Sequence, residues 1–106
     1  MNKIMLSSMI LLTTLLSGCA TDMSERASHV QIIDQTQANQ YQFVANVTGT
    51  SSLTGVSRQT GYQNAINEAL DKAAESGAQY VVIDPKSSPS YWATSQVVRA
   101  TAYKNK

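Results

Sequence analysis

A chain of 106 residues with eight Lys and Arg against seven Asp and Glu has room for one small domain and not two. It carries no charge run or basic patch, which argues against nucleic acid as a partner. Its one cysteine excludes an intrachain disulfide and a cysteine-built metal centre.

The chain opens on a short positive region, Met1-Asn2-Lys3, followed by an apolar run from Ile4 to about Leu16 that Ser7, Ser8, Thr13 and Thr14 dilute. That length suits a signal peptide and falls short of the roughly 20 apolar residues of a membrane span. The run ends in Leu16-Ser17-Gly18-Cys19, which resembles a bacterial lipobox. The resemblance implies that residues 1–18 are removed as a lipoprotein signal peptide and that Cys19 becomes an acylated amino terminus. Each buried acyl methylene contributes about 0.8 kcal/mol, so two or three chains anchor stably where one does not. Lipoproteins of this kind carry three chains (palmitate among them), and an Asp just after the cysteine retains them at the inner membrane. Ala20 and Thr21 follow here, which implies the periplasmic face of the outer membrane. Without Lys3, the remaining chain balances seven basic against seven acidic residues. Its core is small, and a second chain or a partner at the membrane would complement it.

Residues 19–28 read as a lipidated tether: polar, without a period, and followed by a domain over 29–106. Nine extended residues after the cysteine reach roughly 30 Å, so the domain stays close to the membrane. His29 to Ile33 reads as a first strand, stopped by Asp34. Tyr41 to Thr48 alternates, with Tyr41, Phe43, Ala45 and Val47 on one face, and reads as a half-buried strand. Gly49 to Thr60 is a Gly/Ser/Thr loop holding Leu53 and Val56, which either folds back on the core or moves freely.

The clearest helix follows. Thr60-Gly61-Tyr62-Gln63 fits a capping box. Ala65, Ile66, Ala69, Leu70, Ala73 and Ala74 form an apolar stripe, mostly alanine, that allows a close approach to a sheet. Glu68 and Lys72 are spaced as an i,i+4 pair, and Gly77 is the expected C′ residue. Gln79 to Ile83 is a continuous β-branched strand, hence central, ended by Asp84-Pro85. Lys86 to Ser95 is a loop. Gln96 to Tyr103 is the last strand, with Val98, Ala100 and Ala102 on one face. The order β-β-α-β-β predicts an α+β domain, one helix packed on a mostly antiparallel four-stranded sheet.

Gly61-Tyr62-Gln63-Asn64-Ala65 and the stretch Leu70 to Ile83, with Ala73-Ala74-Glu75-Ser76-Gly77-Ala78 before the Val/Ile strand, resemble a family of small bacterial envelope lipoproteins. The same pattern is distantly similar to the globular domain of the outer-membrane lipoprotein that senses envelope stress for the Rcs phosphorelay. That domain is stapled by disulfides and this chain has none to make. The resemblance therefore implies the fold and the envelope location rather than the signalling.

No catalytic set emerges. His29 is the one histidine; Asp34 or Asp84 could join it with a serine, yet no Gly-x-Ser-x-Gly nucleophile motif exists, and a histidine bounding a strand accounts for it. One histidine and scattered acids do not make a metal site, and no cofactor is expected. Glu68, Asp71 and Glu75 lie along one side of the helix and read as solubility charges rather than an acid/base pair. Tyr41, Tyr62, Tyr80 and Tyr103 read as amphipathic residues at the edge of the core. Tyr91 and Trp92 are the candidate binding residues: they sit in a Ser/Pro-flanked loop, and both types anchor interfaces. The alternative is that Trp92 folds inward and caps the sheet. The function that follows is a non-enzymatic, lipid-anchored interaction module with an envelope protein as partner, in envelope assembly or stress sensing. The competing function is a binder of a small periplasmic ligand or peptidoglycan fragment, held between the helix and residues 49–60.

Overall fold

The computed structural model describes residues 23–106; the expected signal peptide, Cys19 and the first part of the expected tether lie outside the described residues. Among the described residues two helices and four strands follow in chain order: α1 (Glu25–Ser28), β1 (Gln31–Ile32), β2 (Tyr41–Ser51), α2 (Arg58–Glu75), β3 (Tyr80–Ile83) and β4 (Gln96–Asn105). The fold class is α+β. The sheet order is β1-β3-β4-β2, with β1 parallel to β3 and the other two pairings antiparallel. β3 is internal, as its unbroken Val/Ile run requires. The first strand is shorter than His29–Ile33, because His29 instead closes α1.

The core forms where α2 lies on the sheet. Ala65, Ala69, Leu70 and Ala73 from α2 meet Val47, Val81, Val98, Ala100 and Ala102 from the strands. Alanines keep this layer thin, and Gly49 makes it thinner still. A Cβ at Gly49 would run into the Ala65 carbonyl and come within 2.8 Å of the Ala69 nitrogen. The backbone of α2 therefore rests directly on the backbone of β2. Lys72 covers the outer strand: its ammonium donates to the Thr48 carbonyl at 2.9 Å and pairs with Glu68 at 3.0 Å, which blunts an edge otherwise open to pairing.

Three local expectations are corrected. The alternation of β2 is broken by a register shift between Phe43 and Ala45. Val44 is the extra residue and packs on the core. Phe43 and Tyr103 are partners across the strands and meet edge-on on the face away from α2, so Tyr41 and Phe43 do not share a face with Ala45 and Val47. Second, Thr60 does not cap α2. The helix starts at Arg58, out of a 3-10 turn at Gly55–Ser57, with Ser57 at the N-cap and no side-chain cap bond. Gly61 lies inside the helix because a Cβ there would collide with the Leu53 backbone; close packing, not termination, selects the glycine. A capping box does occur, at Asp34 and Gln37, opening the 3-10 turn Gln35–Gln40. Third, residues 24–28 are not free tether. They form α1, with Ala27 fully buried and Ser24 at the N-cap.

The C-terminus of α2 is as expected. Gly77 has φ +87°, its N–H donates to Ala74, and the Ala78 N–H donates to Ala73, the two bonds of a Schellman motif.

Replacing Gly49 by Ala forces the α2 backbone off the sheet. We expect a loss of about 3 kcal/mol, measured by equilibrium urea unfolding; a change below a third of that would show that α2 can shift without cost.

Candidate functional site

β2 ends and β4 begins at the same place, since Ser51 pairs with Gln96. The loops that leave them, 52–57 and 84–95, therefore emerge side by side at one end of the sheet, where α2 also begins. This end carries the two most exposed large apolar side chains of the described residues, while Phe43 and Ile32 are exposed elsewhere on the sheet. Trp92 is 90% exposed, Val56 88%, Tyr91 47% and Leu53 39%. Trp92 does not fold inward. The thin alanine layer leaves no space for an indole, and the ring stands outside, edge-on to Tyr91 with centroids 4.8 Å apart.

The tip is built, not merely exposed. Gln96, 1% exposed, clamps the Ser90 backbone: the Ser90 N–H donates to its Oε1 and its Nε2 donates to the Ser90 carbonyl, both at 2.7 Å. These bonds hold the residue just before Tyr91. The Arg58 guanidinium stacks over the Tyr91 ring at 5.5 Å and donates to the Gly55 carbonyl at 3.0 Å, joining the two loops. Tyr62 from α2 donates its hydroxyl to the Ser87 carbonyl at 3.0 Å. At the loop's start Asp84 accepts from the Lys86 N–H at 2.9 Å. The 49–60 segment is thus neither folded onto the core nor free. It begins as the last residues of β2, passes through an ordered turn that offers Val56 to solvent, and ends in the first turn of α2.

The sequence singled out Tyr91 and Trp92 but missed Val56, Arg58 and Gln96 as parts of the same surface. Gln96 had no local signal beyond opening a strand. Arg58 lies in a stretch that reads as loop.

The other candidates are dispersed. His29 is the exposed C-cap of α1, and Asp34 caps the turn after β1. Among the described residues no group of three His, Cys, Asp or Glu could hold a metal ion. Tyr41 and Tyr80 stack at 4.1 Å, and the four tyrosines expected at the edge of the core are half-buried.

The helix carboxylates do more than solubilise. Asp71 receives the Ser24 hydroxyl at 2.6 Å and Nε and Nη2 of Arg26 at 2.7 and 2.9 Å; Glu75 stands 3.7 Å from the same guanidinium. This clasp docks α1 on α2. The hydrogen bond from Arg26, then that from Ser24, holds the Asp71 carboxyl at about 2, below the ordinary 3.8. Beside the clasp runs a broad open cleft of about 1080 Å³, bordered by Ser24 and Arg26, by Asn64, Asn67 and Glu68 along α2, and by Thr50–Ser52.

The geometry defines a class: a small α+β domain with an ordered, protruding aromatic tip. No family model matches the chain, and no curated protein or solved structure matches it either.

Two tests follow from this geometry. Gln96→Leu keeps the volume of the side chain but orphans the Ser90 backbone groups. It should cost roughly 2 kcal/mol and lower the fluorescence anisotropy of Trp92, the chain's one tryptophan; unchanged anisotropy would show that the clamp does not order the tip. Because Asp71 titrates below its unfolded value, its contribution is complete above the ordinary carboxylate range and is lost as pH falls through about 2. Asp71→Asn should therefore melt below wild type at pH 5, and the gap should close towards pH 2. A gap as wide at pH 2 as at pH 5 would mean the clasp is not ionic.

Proposed function

We propose that this chain is a non-enzymatic lipoprotein of the bacterial envelope, held by acylated Cys19 at the periplasmic face of the outer membrane. Its domain is an interaction module that docks on another envelope component through the Tyr91–Trp92 tip, in envelope assembly or stress sensing. One observation carries the reading: aromatic and aliphatic side chains from two loops stand in solvent while buried Gln96 and stacked Arg58 hold them in place. Exposed apolar side chains gathered at one end of a domain mark interaction surfaces, and an anchor already ordered loses little entropy on docking. The lipobox supplies the address.

A second reading, a binder of a small periplasmic ligand or peptidoglycan fragment, is favoured by the cleft bordered by Thr50–Ser52 and the Asn64–Asn67 side of α2. This cleft runs beside the segment that the sequence nominated. It is open and lined by solvated side chains, and the described residues hold no buried side-chain polar atom without a partner. The tip is therefore the better-built surface.

The test is in-cell photo-cross-linking from position 92, with Cys19→Ala as control. We expect an adduct, to protein or to lipid, that depends on Cys19. No adduct from the anchored, folded protein, together with a raised melting temperature in muropeptides, would transfer the function to the cleft.

A further inference from the structure

We infer that the tip seats on a lipid surface, so that the domain meets the bilayer at two points: its acylated end and the loops bearing Val56 and Trp92. The inference rests on the anchored reading above and names what the tip touches.

Shape is the first argument. Val56 and Trp92 are each nearly wholly exposed and belong to different loops. They protrude rather than line a concave surface, which suits insertion among headgroups and acyl ends. Tyr and Trp prefer that boundary, where an apolar ring and a polar edge are both satisfied.

Charge is the second. The tip loops, with Arg58 at the start of α2, hold three ionised side chains, Arg58, Lys86 and Asp84. Asp84 directly follows β3 and accepts from the Lys86 N–H at 2.9 Å, while residues 52–57 and 87–95, which carry Val56 and Trp92, hold no carboxylate. The acids of the two helices, Glu25, Glu68, Asp71 and Glu75, lie away from the tip. The helix acids are matched by Arg26 and Lys72, whereas Arg58 and Lys86 outnumber the one acid of the tip, so an anionic headgroup layer is attracted there.

Reach is the third. Ser24 is bonded to Asp71, thirteen residues along α2 from Arg58, or about 20 Å of helix. Cys19 and Ser24 are five residues apart and can be separated by at most about 18 Å. With Cys19 at the bilayer surface, Ser24 cannot rise higher than that. The tip, about 20 Å along α2 from that point, is within reach of the same surface, and no part of the domain needs to unfold.

The test uses the full acylated protein in protein-free vesicles of phosphatidylethanolamine with a minority of phosphatidylglycerol. Trp92 is the one tryptophan, so emission reports this side chain alone. We expect a blue shift, quenching by brominated acyl chains and a severalfold loss of quenching by acrylamide. Val56→Asp, at an exposed position that the fold does not use, should restore most of the acrylamide quenching. Mass analysis of the amino-terminal peptide separates the two readings. An unmodified Cys19 overturns the anchored reading and this inference with it. Acylated protein whose Trp92 stays as open to acrylamide as free N-acetyltryptophanamide overturns the inference alone. So does a Trp92 that is shielded only in native membranes, with a protein adduct at position 92, and that result gives the tip to a protein partner.

Discussion

The contact between Gly49 of β2 and the backbone of α2 at Ala65 and Ala69 governs much of this molecule. Because the helix rests on the strand itself, the layer between them admits alanine and valine, and Leu70 and Val81 are among the largest side chains fully enclosed. A layer so thin has no volume for an indole. The same closeness recurs one turn from the start of α2. There Gly61 lets the Leu53 backbone and the Gln96 side chain approach the helix, and that approach brings the β2–α2 loop and the start of β4 together. The exposed tip is thus a consequence of the thin core as well as of its own sequence.

Much of this architecture is legible residue by residue. The alternation of Val98, Ala100 and Ala102 announces the buried face of β4, the alanine stripe announces the side of α2 that meets it, and Gly77 announces the helix end. Each is a local pattern with a local cause. The features that escape are those whose cause lies far away in sequence. The bulge at Val44 interrupts an alternation that looks uninterrupted. Gly61 looks like a boundary because its reason, the Leu53 backbone, is invisible to a periodicity argument. Arg26 looks like tether because its partner, Asp71, is 45 positions away.

The candidate surface divides in the same manner. Tyr91 and Trp92 can be nominated from residue type and setting, but whether a tryptophan turns inward depends on the space the core offers, and that follows only from how closely α2 approaches the sheet. Val56 and Arg58 join the surface through the pairing of Ser51 with Gln96, a register between strands separated by a helix and a third strand. Gln96 illustrates the limit best. At the sequence level it is a polar residue opening a strand. In the fold it is enclosed, with both ends of its amide satisfied by one peptide unit. Such a residue holds a loop in one conformation more effectively than an apolar side chain would, because any other conformation strands two polar groups away from water.

The two ends of the molecule are coupled through α2. At one end the clasp of Ser24 and Arg26 on Asp71 fixes where the chain enters the domain; at the other, Arg58 and Tyr62 fix the tip loops. All four contacts are made to or from a single helix, so the vector from entry point to tip is as rigid as α2. In a free protein that vector has no consequence. In the proposed anchored protein it limits where the tip can stand: the exit point is held within a few residues' reach of the bilayer, and the tip within about one length of α2 from that point. Loss of the clasp would leave the tip intact and α1 held by the burial of Ala27 alone, which loosens that limit. Stability and reach are therefore only partly separable in this fold: the contact of Gly49 with α2 serves the first, and the exposed clasp serves both.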